Sequence, residues 1–276
     1  MSDVLVYAHT LHADTARNVL TAACTATGLA ARLDVYGSSG SLFQRLGSRR
    51  AQPLPDLVWW FGPFAARAAA VDGLLQDHQP ARVSDGVVHD PDWKWTTLQH
   101  STIGVVGDGA SRWEDLAAVP RLALADPERS EVGLAVLLAT LDRARQVDGD
   151  VERGWNWWHQ RAQTGLVLAE NDAGALAMVQ SGSASHALTL TGGSPVQALA
   201  ALPHAIGIAA SSRNVDAARK LLDWLASESA ADLLPGSPWR ANAPASPPLD
   251  MEWGRQQYVA TRQRWAQSGF GPSLQT

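Results

Sequence analysis

The chain has 276 residues, 46% apolar and 18% charged, with a formal net charge of −5. That composition is globular rather than disordered, and its negative balance excludes a basic nucleic-acid surface. The single cysteine, Cys24, excludes an intrachain disulfide and a cysteine-based metal site. No apolar run has the length of a membrane span, and MSDVLVYAHT enters a strand without a secretion signal ahead of it.

In chain order, Val4–Tyr7 reads as a short apolar strand, followed by His9 and Thr10 and by a helix over Ala13–Thr27 that stops at Gly28. Ala31–Tyr36 is a second strand, Leu42–Gly47 a helix, Leu57–Trp60 a third strand, and Pro63–Asp72 a helix closed by Gly73. This strand–helix alternation specifies a parallel sheet covered by helices. Residues 76–92 are polar and turn-rich, and Trp93–Gly107 reads as two extended segments with a turn. A short helical piece begins at Trp113–Leu116, and Leu122–Ala125 is a strand ending in Asp126-Pro127. Gly133–Gln146 carries Leu134, Leu137, Leu138 and Leu141 on one helical face, and Val151–Arg161 is a further helix. Leu166–Ala169, His186–Leu190 and Ile206–Ala209 read as strands, and Ala173–Gln180, Val215–Ser227 and Glu252–Gln267 as helices. Residues 235–248 form a Pro-rich irregular tail. The expectation is an α/β protein of two α/β lobes with a central cleft between them, lobe 1 being 1–100 with 205–276 and lobe 2 being 101–204. The chain would cross between the lobes near 95–106 and 191–205. Clefts of this kind bind small molecules.

Tyr36–Trp60, YGSSGSLFQRLGSRRAQPLPDLVWW, is the stretch that says most about function. A strand runs into Gly37-Ser38-Ser39-Gly40 and a helix opens at Ser41, which sets free backbone N–H groups and hydroxyls beyond a strand end. Such a place holds the negative end of a small molecule, although Ser38 or Ser39 also serves simply as a helix cap. Trp59 and Trp60 alternate across their strand, so one faces the core, and Trp60 at the strand end offers a flat apolar wall. Glu131, beside Ser130, would attract a cation, yet a carboxylate at a helix start is favourable without any ligand. Asn171-Asp172 carries the same ambiguity.

GSSGSLFQRL at 37–46, DLVWW at 56–60, Gly73-Leu74-Leu75, Asp90–Trp95, RWEDLAAVPRLALADPERSEVG at 112–133, Ala175–Gly182 and Val215–Ser229 form an ordered set. In that order they resemble the extracytoplasmic solute-binding proteins of ABC importers, in the type II group that binds ferric iron, thiamine and phosphonates. The resemblance implies a periplasmic-binding-protein-like fold and a monomer that captures one solute, organic and anionic or zwitterionic by its loop chemistry, and presents it to a membrane permease. It implies a periplasmic or extracellular, membrane-associated location. Net charge and the residue inventory lead to the expectation of no nucleic acid, no cofactor and no metal. Carried over by position, the ligand-binding residues are His9, Thr10, Ser38, Ser39, Gly40, Trp60, Phe61, Ser130, Glu131, Asn171, Asp172, Thr189 and Thr191. The chain departs from the group's pattern at Glu131 and Val132, where glycine and a hydroxyl are usual. The group's iron carriers use a late pair of tyrosines. Tyr7, Tyr36 and Tyr258 are far apart in this sequence, so iron is disfavoured. The eight histidines are scattered, with His9 and His12 alone closely spaced, which disfavours zinc. Two alternatives are a cytoplasmic ligand sensor of the same fold and a thiaminase-like enzyme. Against the enzyme, Cys24 lies mid-helix among apolar residues, and no G-x-S-x-G, H-E-x-x-H or Walker motif occurs.

Overall fold

A computed structural model describes residues 3–48, 53–109, 113–190, 198–239 and 249–270. Two compact units divide the chain, one of Met1–His100 with Pro203–Ala243 and the other of Ser101–Leu202 with Pro244–Thr276.

In the first unit, the strands are β1 (Val4–His9), β2 (Ala31–Tyr36), β3 (Leu57–Trp59), the two-residue β4 (Leu75–Gln76), and parts of β5 (Thr96–Val106) and β9 (Ala198–Ala209). The sheet order is β2-β1-β3-β9, with β4 also on β9. Strands β2 and β3 lie parallel to β1, and β9 runs antiparallel to β3. The register pairs His9 with Tyr36 and Ala8 with Trp59, so the C-terminal ends of three parallel strands finish together. Helices α1 (Ala13–Thr27) and α7 (Val215–Leu225) cover one face. Alternate β1 residues Val4, Val6 and Ala8 meet Val19, Leu20, Leu221, Leu222 and Leu225 there, in a fully apolar core. Buried Asp56 pins the entry to β3: it accepts hydrogen bonds from the Leu5 amide (2.8 Å), Ser212 (2.6 Å) and Asn214 (3.2 Å).

In the second unit, β6 (Leu122–Ala125), β7 (Leu166–Ala169) and β8 (His186–Leu190) join the second half of β5 in the order β5-β8-β6-β7. Strand β6 is parallel to β7 and β8, while β8 is antiparallel to β5. Helix α6 (Asp172–Gln180) packs on an alanine face made by Ala123, Ala169, Ala175, Ala184 and Ala187. Helix α4 (Glu131–Asp148) is buried along most of its length, and it packs against α5 (Val151–Thr164) and α8 (Met251–Gln267).

Three expectations change. The final helix, expected in the first lobe, belongs to the second unit. Its Tyr258 hydroxyl donates to Glu131, Trp265 packs edge-on against Trp158 at 5.7 Å, and Arg264 pairs with Glu152 at 2.6 Å. Trp93–Gly107 is not two segments with a turn but contains one eleven-residue strand, β5. Its backbone finds partners at both ends, Val88 and Gly236 near the start and β8 near the finish. Strand β9 likewise begins at Ala198 rather than Ile206, running through Pro203.

Candidate functional site

The first unit gathers its candidate residues at the C-terminal ends of β1, β2 and β3. Ser38 caps α2 (Ser39–Gly47), its hydroxyl accepting the Ser41 amide at 3.1 Å. Ser39 is 1% exposed and its hydroxyl donates to the Phe61 carbonyl at 3.1 Å, which ties the α2 start to the segment after β3. Gly40 lies in the first turn, where helix N–H groups lack intrahelical partners. Thr10 is exposed. Trp59 and Trp60, expected to divide between core and cleft wall, are both fully buried. Ser39→Ala should cost about 1–2 kcal/mol of stability, because it leaves a buried carbonyl without its donor. Urea unfolding measures this, and an unchanged midpoint would show that the tie carries no weight.

A histidine cluster emerges that the sequence did not announce. His9 follows β1, His12 closes the single 3-10 turn Thr10–His12, and His204 arrives on β9. The rings of His12 and His204 meet edge-on at 4.7 Å, those of His9 and His12 at 6.4 Å. Phe61 lies 5.5 Å from His9 and 4.7 Å from His204, and Trp59 stacks on His12 at 5.1 Å. All three imidazoles are buried. Burial lowers the pKa of His9 to about 4 and, with His9 beside it, that of His12 to about 3. Burial and the neighbouring imidazoles hold His204 well below its ordinary range. The cluster is therefore neutral at neutral pH.

Its hydrogen bonds fix where each proton sits. The Leu11 amide donates to His9 Nδ1 at 3.1 Å, and the Gly62 amide to His204 Nδ1 at 3.4 Å. The Trp60 carbonyl, which only accepts, lies 3.3 Å from His12 Nε2. His12 therefore carries its proton on Nε2, and its Nδ1 accepts the Gln99 amide nitrogen at 3.0 Å. All three rings are Nε2–H tautomers. A metal-bound imidazole keeps its proton on the other nitrogen and donates it outward; here Nδ1 is occupied as an acceptor. Among the described residues, no group of three or more His, Cys, Asp or Glu side chains is placed to hold a metal.

The second unit repeats the arrangement of strand ends and helix starts. Ser130 caps α4 by accepting the Gly133 amide at 3.2 Å, and Asn171 caps α6 by accepting the Gly174 amide at 2.9 Å. Asp172 is partly exposed in the first turn of α6. Thr189 is fully buried near the end of β8, its hydroxyl without a hydrogen-bond partner among the described residues. Thr191 lies outside the described residues. Glu131 turns toward α8, where the Tyr258 hydroxyl donates to both carboxylate oxygens at 3.1 and 2.9 Å and Arg262 stands 3.5 Å away. Burial raises its pKa, against the pull of Tyr258 and Arg262.

Sequence reasoning found the strand ends and the capping loops. It missed the meeting of His12, Gln99 and His204, which lie 87 to 192 residues apart in the sequence. The one available signal was the close spacing of His9 and His12.

No protein-family model matches the chain, and no curated protein matches it in sequence. Solved structures do match in shape. Iron-bound HitA from Pseudomonas aeruginosa superposes with a TM-score of 0.75 at 16% identity, covering 96% of this chain and 99% of that one. The periplasmic binding protein AfuA from Actinobacillus pleuropneumoniae, with fructose-6-phosphate bound, gives 0.74 at 13% identity, covering 96% and 98%. The apo ferric ion-binding protein A of Pasteurella haemolytica gives 0.77 at 13% identity, covering 98% of each chain. The chain thus has the α/β fold of these periplasmic binding proteins over nearly its whole length.

Proposed function

We propose that the protein is the solute-binding component of an ABC importer, that it captures a small organic solute at these strand ends without chemical change, and that it works outside the cytoplasmic membrane with a permease. The observation that carries this reading is the near-complete overlap with binding proteins of the same length, joined to strand ends that carry capped helix starts and buried polar groups. In parallel α/β sheets the carboxyl ends of strands are where ligands sit. The α2 start, with Ser38, Ser39 and Gly40, suits the anionic end of an anionic or zwitterionic solute. No helix among the described residues is long and apolar enough to cross a membrane.

The neighbours include iron carriers, and the tyrosines argue against that cargo. Tyr7 and Tyr36 do meet in space, with ring centroids 4.7 Å apart, although they are distant in sequence. Tyr7 donates to the Pro53 carbonyl, and burial with the Tyr7 contact pushes Tyr36 up to about 12. Tyr258 is held against Glu131, and burial raises it as well. Neither Tyr36 nor Tyr258 is poised as a tyrosinate. The protein is therefore expected to stay colourless with ferric salts. In thermal denaturation, fructose 6-phosphate, 4-aminobutyrate, citrate and a wider set of small organic acids and phosphates serve as probes. One that binds should stabilise by about 2.7 kcal/mol at a hundredfold excess over its dissociation constant. A strong visible band with ferric iron, or a solute recovered chemically altered, would overturn the proposal.

A further inference from the structure

We infer that the His9–His12–Gln99 group is a metal-excluding subsite for an uncharged hydroxyl of the solute, with the His9 Nε2–H as donor and Gln99 Oε1 as acceptor; this rests on the solute-binding reading and names the chemistry that one of its ends recognises.

Two buried polar atoms of this group are unmet. His9 is 3% exposed and Gln99 6% exposed, and His9 Nε2 and Gln99 Oε1 have no hydrogen-bond partner among the described residues. Their chemical identities are fixed by their neighbours. Because Leu11 donates to His9 Nδ1, a neutral His9 carries its proton on Nε2, so the unmet atom is a donor. Because the Trp60 carbonyl makes His12 Nε2 a donor, His12 Nδ1 needs a donor opposite it, which must be the Gln99 NH2. The other end of that amide, Oε1, is then an unmet acceptor. His12 is the neighbour the two side chains share: its ring centroid lies 6.4 Å from that of His9, and its Nδ1 accepts from the Gln99 amide at 3.0 Å. A buried polar atom without a partner is costly, and native proteins keep few of them away from functional sites.

A group that accepts from one neighbour and donates to another, in surroundings of imidazole, amide, Phe61 and Trp59, is a hydroxyl. A carboxylate or phosphate oxygen would accept from His9 but leave Gln99 Oε1 facing another acceptor. An ammonium would do the reverse. None of these five side chains is charged, so nothing here offsets the desolvation of an ionic group. An anionic end of the same solute belongs at the α2 start, whose N–H groups favour negative charge.

Nitrogen-15 histidine NMR of the wild-type protein tests this. His9, His12 and His204 should all show the neutral Nε2–H tautomer at neutral pH and should not move on adding zinc or ferric ion. A protonated Nδ1 on His9 or His12, or a metal-induced shift of either ring, would overturn the inference while leaving the importer reading intact. Glycerate, glycerol and ribose, each carrying hydroxyls, are then titrated beside acetate and propionate, which carry none. The expected result is a shift of the His9 Nε2–H with a hydroxylated probe, weakened about tenfold in His9→Phe and in Gln99→Leu, with the non-hydroxylated probes weaker in wild type and indifferent to both changes. Two variants are used because His9→Phe also removes the acceptor for Leu11. Binding of acetate or propionate that shifts His9 equally, or no His9 shift with any hydroxylated probe, would overturn the assignment. If some other solute stabilises the protein without moving His9, the subsite fails and the importer reading stands.

Discussion

The folded protein is expected to lose stability steeply as the pH falls from about 6.5 toward 4. His9 and His12 have folded pKa values of about 4 and about 3 against an ordinary value of 6.5, and His204 also lies well below 6.5. Above 6.5 the imidazoles are neutral in both states, and stability does not depend on them. Below 6.5 the unfolded chain takes up protons that the folded cluster refuses, so the unfolded state is stabilised relative to the folded one with each step down in pH. The loss continues until the folded values themselves are reached. Each ring contributes up to about 1.4 kcal/mol per pH unit, and three together about 4 kcal/mol per unit. Set against a total stability of about 5–15 kcal/mol, that is a large fraction. Glu131 acts in the opposite sense, since its raised pKa means the folded state binds a proton more readily as pH falls. One partly compensated carboxyl does not balance three imidazoles. Urea denaturation at several pH values between about 7 and 5 measures the effect. His9→Gln should flatten the slope by about a third. A stability that is level across this range in the wild-type protein would rule out neutral buried imidazoles.

Gly133→Ala should be among the most damaging methyl groups that can be added to the second unit. A Cβ at Gly133 would lie 1.9 Å from the Ala125 carbonyl oxygen and 2.8 Å from its carbon, and both atoms are backbone. Neither can rotate away, so either α4 or the end of β6 must move. In an ordinary helix the same change would help by about 0.5–1 kcal/mol, through lower backbone entropy in the unfolded chain. Overpacking against fixed backbone outweighs that gain, with an expected net loss above about 3 kcal/mol. Gly174→Ala is the matched control at the start of α6, where the new Cβ would meet the Ala169 side chain at 3.4 Å. It should be close to neutral. Thermal or urea unfolding compares the two, and equal stabilities would mean that α4 does not press on β6. The position also matters for the site, because the close approach sets Ser130 and the α4 start directly against the end of β6.

The sequence by itself determined the fold class and the strand ends at which helices start and are capped. Alternating strands and amphipathic helices such as Val215–Leu225 are local patterns, and burial of one face enforces them. Ser38, Ser130 and Asn171 cap their helices because capping joins neighbours three residues apart, which a sequence displays openly. The tertiary structure alone decided what depends on distant partners. Tyr258 pairs with Glu131 across 127 positions, so α8 belongs with the second unit although it follows the first in the chain. Long β5 and β9 exist because hydrogen-bond partners far along the chain continue their ladders, and no local periodicity marks that. The imidazole cluster is the clearest case. His12, Gln99 and His204 meet only when β1, β5 and β9 come together, and their protons settle where backbone N–H and carbonyl groups of other segments dictate. A histidine's role depends on which nitrogen carries its proton, and that is set by neighbours in space, which the order of residues does not supply.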